Sequence, residues 1–353
     1  MLHLEKILTV AVPAYNAEWC IEKCLSSLID ESILNDLEVI VVNDGSTDRT
    51  AEIASGFVSR YPHSFSIINK VNGGHGSAIN AAVSVATGKY FKVIDADDWV
   101  ITENLKSYVS ALREKNADVV LTNFHIVDIT TGRRQEFITR GLKSGEVYTI
   151  DSFSAASTAA FQCATFHGIT YLTAFYRSTG VCLPEKIFYE DQEYATSPLA
   201  KVKTILPLDI FLYQYMVGNA AQSVSDANQV KRMSDIENVI LNVINSYNMN
   251  PDMPEGAKKL YIYKLCLIVK SYYVVALIKK PDRKTGRKDA ARIRRLIAEK
   301  NPELVRYTNK DYNIVLLMHY LHMSSQRWQR IKQSAILKLV YNGGENSREQ
   351  KKA

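Results

Sequence analysis

The feature that most constrains this chain is a unit that recurs along its first third: an apolar run, a turn rich in Asn, Asp, Gly or Ser, then an amphipathic stretch. Residues 7–12 are an unbroken apolar strand that Pro13-Ala14-Tyr15-Asn16 interrupts. Asn16 is placed to cap a helix whose Ile21, Cys24, Leu25 and Leu28 share one face. Residues 37–42 form a second buried strand ending in Asn43-Asp44-Gly45-Ser46-Thr47-Asp48, and Ser46 or Thr47 caps a helix reaching about residue 60. A third strand, 65–69, leads into Asn72-Gly73-Gly74-His75-Gly76-Ser77 and a helix over 78–87; a fourth strand, a helix over 103–115 and a strand over 118–124 follow. Such alternation implies an α/β fold, a mostly parallel sheet with helices on both faces, whose ligands gather at the carboxyl ends of the strands.

The fourth strand is the one with most chemistry in it. Lys89-Tyr90-Phe91-Lys92-Val93-Ile94 delivers Asp95, Asp97 and Asp98 to that edge. Three acids within four residues repel one another, and a cation relieves them. Oxygen-only ligands select hard ions such as Mg²⁺ or Mn²⁺, shared with a substrate's phosphates. An acidic turn capping the next helix accounts for the same residues equally well.

The other turns on the edge have roles open to them. Pro13, Ala14 and Tyr15 offer backbone groups and an aromatic face for a nucleobase, and Asp44 could accept a hydrogen bond from a base imino group. Gly73, Gly74 and Gly76 permit close backbone approach ahead of a helix N-terminus, which suits an anion. No Gly-x-Gly-x-x-Gly opens the first helix and no Gly-Lys-Ser/Thr occurs, which argues against a dinucleotide dehydrogenase and a P-loop enzyme. Taken one at a time, each turn also reads as mere punctuation.

Composition sets the class. A chain of 353 residues with 46% apolar content can bury a sizeable core and form two units. Five cysteines without metal-ligand spacing point to reduced thiols in a cytoplasmic protein, and no secretory signal or membrane span is expected. Residues 257–353 hold 23 of the 43 Lys and Arg but only 7 of the 37 Asp and Glu. A tail so basic suggests an anionic partner, namely membrane headgroups, a lipid diphosphate or nucleic acid, although a solvated face explains it too.

Taken together, Val12 to Asn16, Val41 to Asp48, Asn72-Gly73-Gly74, Ala86 to Tyr90 and Asp95-Ala96-Asp97-Asp98-Trp99 resemble, in order and spacing, the nucleotide-sugar half of the family 2 inverting glycosyltransferases. The resemblance covers residues 4 to about 225. It implies the GT-A fold, a donor site formed by Pro13, Ala14, Tyr15, Asp44, Asn72, Gly73, Gly74, Asp95, Ala96 and Asp97, and a UDP-sugar donor. Asp44 would bind the uracil, Asp95 the ribose or sugar, and Asp97, with Asp95, a divalent Mn or Mg ion. His75 departs from the residue that many relatives carry at this turn, which leaves base and sugar preference open.

An inverting transfer needs a carboxylate opposite the leaving diphosphate to take the acceptor proton. Phe188-Tyr189-Glu190-Asp191-Gln192-Glu193-Tyr194 presents carboxylates at the start of a helix, where the dipole favours them. The resemblance points to Asp191 as the base, with Glu190 orienting it or binding the acceptor. It also places His167 beside the acceptor, where a core histidine is an equal reading. Gln222 to Ser225 resembles the loop that closes over the pyrophosphate in relatives.

The expected organisation is a catalytic domain over 1–228, split into a nucleotide half (1–99) and an acceptor half (100–228), then a basic helical extension (229–341) and a disordered tail (342–353). Ile236, Val239, Ile240, Val243 and Ile244 form the extension's first apolar stripe. Its basic helices could pack on the catalytic domain, join copies of the chain, or lie on an anionic membrane at the cytoplasmic face, where a lipid-linked saccharide acceptor would be found. The resemblance implies no nucleic-acid partner. Two other functions are compatible: a non-catalytic nucleotide-sugar or glycan binder, or transfer to a polyprenyl phosphate.

Overall fold

A computed structural model of the protein describes residues 6–218 and 226–333. The chain divides into two compact units, Met1–Ser223 with Ser234–Leu265, and Val224–Met233 with Cys266–Ala353. The first begins with β1 (Leu8–Ala14), α1 (Ile21–Ser27), β2 (Leu37–Asn43), α2 (Thr50–Arg60), β3 (Phe65–Asn69), α3 (His75–Val85), β4 (Tyr90–Val93), β5 (Trp99–Val100) and α4 (Leu105–Glu114). It continues with β6 (Val119–Asp128), β7 (Arg134–Phe137), β8 (Tyr148–Thr149), α5 (Ile150–Ala156), β9 (Ile169–Leu172), α6 (Thr173–Thr179), α7 (Glu190–Tyr194) and β10 (Thr204–Val217).

One sheet of order β3-β2-β1-β4-β9-β6-β10-β5 carries the unit, with β7 on β6 and β8 on β10. Pairing is parallel from β3 through β4, as the strand–helix alternation requires. The sheet is mixed beyond that point. β9 enters between β4 and β6 antiparallel to both, because it arrives from a long excursion after β7 and not from a strand–helix–strand crossover. β10 restores a parallel pairing with β6. Every residue of β1 and β4 is buried, which is the burial of a central strand covered on both faces.

Three local expectations are corrected. β1 runs through Pro13 to Ala14, since a missing donor at the end of a strand is tolerated. Asn16 caps no helix; it sits at φ 49° and its side chain accepts from the Thr47 amide at 2.9 Å. Asp48, and not Ser46 or Thr47, accepts from the Thr50 amide at 3.0 Å where α2 begins.

The helices that follow are α8 (Asp226–Lys231), α9 (Met233–Asn248), α10 (Glu255–Val274), α11 (Arg283–Lys300), α12 (Pro302–Tyr320) and α13 (Ser325–Gln333). The expected stripe of α9 is buried along its length. α10 contains the boundary between the units. With the π-helical segment after it, Glu255–Lys279 is long and apolar enough by composition to cross a membrane, and 67% of its apolar 18-residue window is buried within the protein. In the second unit Ala290, Ile293 and Ile297 of α11 and Leu304 and Val315 of α12 are buried, while Lys284, Lys288, Arg292 and Arg295 lie on the exposed face of α11. Lys270–Asp311 (3.2 Å), Lys279–Asp226 (2.8 Å) and Lys280–Asp289 (2.6 Å) are ion pairs inside this unit.

Candidate active site

The carboxyl ends of β1, β2 and β4 carry the candidate donor residues to one edge. The loops after β1 and β2 are laced together: Ser46 Oγ accepts from the Asn16 amide (3.1 Å), Asp48 from that of Glu18 (3.1 Å) and Thr50 Oγ1 from that of Ala17 (2.7 Å). This leaves Tyr15 at the strand end with a 55% exposed side chain, while Pro13 and Ala14 are buried beneath it.

Asp44 is only 3% exposed, and its carboxylate is already well supplied with donors. Oδ1 accepts from Lys70 Nζ (2.7 Å) and the Gly73 amide (2.9 Å), and Oδ2 from the Gly74 amide (2.7 Å). The glycine turn thus does take an anion, but that anion is the protein's own aspartate. One lone pair of Oδ2 is left for a further donor. Asn72 lies half-buried beside this turn.

Oxygens of Asp95, Asp97 and Asp98 lie within 4.8 Å of one another after β4, with the buried Ala96 between them. The three are not equivalent. Asp98 is 1% exposed; its Oδ1 accepts from the Met216 amide (2.7 Å) and its Oδ2 from the Tyr213 hydroxyl (2.6 Å). Burial, reinforced by Asp97 and Asp95, raises its pKa well above the carboxylate range. Asp98 therefore anchors the loop to β10. Asp95 and Asp97 are half-exposed and supply the hard oxygen donors that suit Mg²⁺ or Mn²⁺.

His75 was not expected among the site residues, and it joins the two acid clusters. It is the first residue of α3, and its Nε2 lies 2.7 Å from Asp95 Oδ1 while its Nδ1 lies 2.6 Å from Glu190 Oε1. Burial alone would lower its pKa, but the two carboxylates prevail and hold it well above the ordinary histidine value. α3 begins at His75, ahead of the expected Ala78, so this side chain projects from its first turn. A glycine-rich turn in sequence looks only like punctuation, which hid the partner contact.

Glu190 is buried at 4% exposure and Asp191 follows it on α7, where Gln192 Nε2 donates to Asp191 Oδ2 at 2.7 Å. Burial and then the neighbouring Glu190 push Asp191 up to about 6, with the charge of Asp95 adding to the shift and His75 opposing it. His167 stacks on Tyr215 with ring centroids 4.1 Å apart and meets Tyr213 edge-on, and burial lowers it to about 3, so it is a neutral ring in an aromatic cluster. Lys264 of α10 is 2% exposed, and burial lowers it to about 8 against the pull of Asp191. The lysine interrupting an apolar helix was the only trace of it in the sequence. Ser223 and Ser225 lie outside the described residues.

Residues 9–171 match the family described as Glycosyl transferase family 2. EpsJ of Bacillus subtilis, named as an uncharacterized glycosyltransferase, is 27% identical over 213 residues, which cover 59% of this chain and 60% of EpsJ. YibD of Escherichia coli, another named glycosyltransferase, is 37% identical over 123 residues and 35% of each chain. The chain thus spans less than two thirds of these relatives. Among solved structures, S. aureus TarS 1-349 in complex with UDP-GlcNAc matches with a TM-score of 0.60 and 20% identity over 89% of this chain and 92% of that one. The mannosyltransferase PcManGT of Pyrobaculum calidifontis, in complex with GDP-Man and Mn²⁺, matches with a TM-score of 0.54 and 17% identity over 90% and 87%. Residues 9–171 thus match glycosyl transferase family 2, and the fold is the GT-A fold.

Proposed function

We propose that the protein transfers a sugar, with inversion, from a uridine-diphosphate donor to a hydroxyl of a saccharide acceptor that is free or carried on lipid or protein. The observation that carries this reading is the joining of two acid clusters by one residue: Asp95 beside Asp97, then His75, then Glu190 beside Asp191. Donor and acceptor chemistry need carboxylates of these two kinds on one edge.

In this reading Tyr15 offers its face to the base and the remaining lone pair of Asp44 Oδ2 takes the base imino hydrogen. Asn72, Gly73 and Gly74 close the base pocket around Asp44. Asp95 and Asp97 would hold a divalent ion, which supplies charge neutralisation for the departing diphosphate. Asp191 accepts the proton of the acceptor hydroxyl as its oxygen bonds to the anomeric carbon and the bond to diphosphate breaks. A base that loses its proton near pH 6 is a carboxylate at neutral pH and retains useful basicity. Glu190 and His167 line the acceptor side. The TarS complex with UDP-GlcNAc and the Mn²⁺ complex of PcManGT support the donor class and the ion. The exposed cations of α11 suit anionic headgroups, consistent with work at the cytoplasmic face of a membrane.

The test is a panel of nucleotide-sugar donors scored for released nucleoside diphosphate, with Mn²⁺ and then with a chelator. Release from a UDP-sugar that requires the ion and is lost in Asp97→Ala is expected. Equal release with the chelator present would remove the metal from the account.

A further inference from the structure

We propose that His75 is a positioning residue that ties Glu190 to Asp95 and so sets where Asp191 stands relative to the donor. The inference rests on the reading of Asp191 as the base.

The segment that leads to Asp191 is seated on α3. Residues 183–190 run across the first turn of α3. The Lys186 amide donates to the Gly73 carbonyl (2.8 Å), the Leu183 amide to Asn80 Oδ1 (3.0 Å) and Asn80 Nδ2 to the Leu183 carbonyl (2.8 Å). The contact is close enough to need glycine. A Cβ at Gly74 would stand 2.9 Å from the Lys186 nitrogen, and one at Gly76 would stand 2.7 Å from the Pro184 carbonyl and 3.0 Å from Glu190 Cγ. The glycines of this turn therefore serve the segment that leads to the base as well as the carboxylate of Asp44.

The segment does not adopt its shape by local preference. Lys186 and Tyr189 both have positive φ, 56° and 69°, and Tyr189 immediately precedes Glu190. Non-glycine residues in that region cost roughly 1 kcal/mol or more each and persist where surrounding contacts impose them. Among the described residues, His75 is the hydrogen-bond partner of the Glu190 side chain, at 2.6 Å. Its other nitrogen is on Asp95, and Phe166 packs against the ring with centroids 5.8 Å apart. One rigid ring thus spans a donor-side carboxylate and the carboxylate next to the base. Without it Glu190 is a buried acid with no partner, and the segment is released at its carboxyl end. Displacing a reacting group by about 1 Å can cost about a hundredfold in rate.

The experiment measures kcat, donor KM and UDP affinity by calorimetry for wild type, His75→Ala, His75→Gln, Glu190→Gln and the His75→Ala/Glu190→Gln double variant, with Asp191→Asn alongside. His75→Ala should lose about a hundredfold in kcat while donor KM and UDP affinity stay within threefold. The double variant should be no worse than the poorer single variant, because each single change breaks the same tie. His75→Gln, which keeps one polar contact, should recover part of the lost kcat. Losses that multiply in the double variant, a loss confined to donor KM, or unchanged kcat would each overturn the proposal. If His75→Ala does not fold, the same criteria apply to His75→Gln. Full turnover by Asp191→Asn defeats the base reading instead, whatever the His75 variants do.

Discussion

Gly76→Ala probes the seating of residues 183–190 on α3 without removing or adding a charged side chain. Gly76 is the second residue of α3 and has a helical backbone, so alanine there should by itself stabilise the helix by about 1 kcal/mol. The surroundings reverse this. The new methyl would meet the Pro184 carbonyl at 2.7 Å, and Glu190 Cγ and Leu183 Cβ at 3.0 Å. A backbone oxygen at that distance must move by about half an ångström, and overpacking of this kind costs about 1–3 kcal/mol. The net change in stability is a loss of about 0–2 kcal/mol. The displacement is passed to Glu190, one residue from Asp191, and kcat should fall roughly ten- to a hundredfold. Gly56→Ala is the control: it lies exposed on α2 with nothing within 4 Å, and should gain about 0.5–1 kcal/mol with kcat unchanged. Thermal melts and UDP-release kinetics on both variants decide the matter. If Gly76→Ala matches Gly56→Ala in both readings, residues 183–190 are not seated on α3 as described.

Two pH dependences follow from buried groups. Asp191 stands near pH 6, raised by burial, and the proposed base role requires it ionised, so kcat should fall as pH drops through about 6 and level above it; a profile flat from pH 5 to 8 would contradict this. Lys92 is fully buried on β4 with its Nζ on the carbonyls of His167 (2.9 Å) and Ile169 (3.1 Å), and burial lowers it to about 7. Between that value and the ordinary lysine range the unfolded chain binds a proton that the folded chain does not. Folding stability attributable to Lys92 should therefore rise with pH, by about 1 kcal/mol per pH unit above 7. Chemical denaturation of wild type and Lys92→Met at pH 7 and pH 9 should show the wild type gaining relative to the variant.

The first half of the fold was legible because its strands are short, apolar and covered on both faces. β3 falls on residues 65–69 as the pattern predicts, and β2 gains only Asn43. The antiparallel insertion of β9 left no such trace, since Ile169–Leu172 reads the same in either direction. The acid clusters were visible because like charges at strand and helix ends are costly without a purpose. Their link was not, since His75 and Glu190 are 115 positions apart and a lone histidine in a glycine turn has no periodicity. The division of labour within Asp95, Asp97 and Asp98 was hidden for the same reason: it is Tyr213 and the Met216 amide, from the last strand, that engage Asp98.

The most direct test of the account is UDP-sugar turnover by Asp191→Asn, with donor affinity measured on the same preparation. The side chain keeps its shape and loses its basicity. Turnover should drop by about a hundredfold or more while UDP-sugar affinity in the presence of Mn²⁺ stays within a few-fold of wild type. Turnover close to wild type would show that the acceptor proton leaves by another route, and the carboxylate that His75 and Glu190 are arranged around would not be the base.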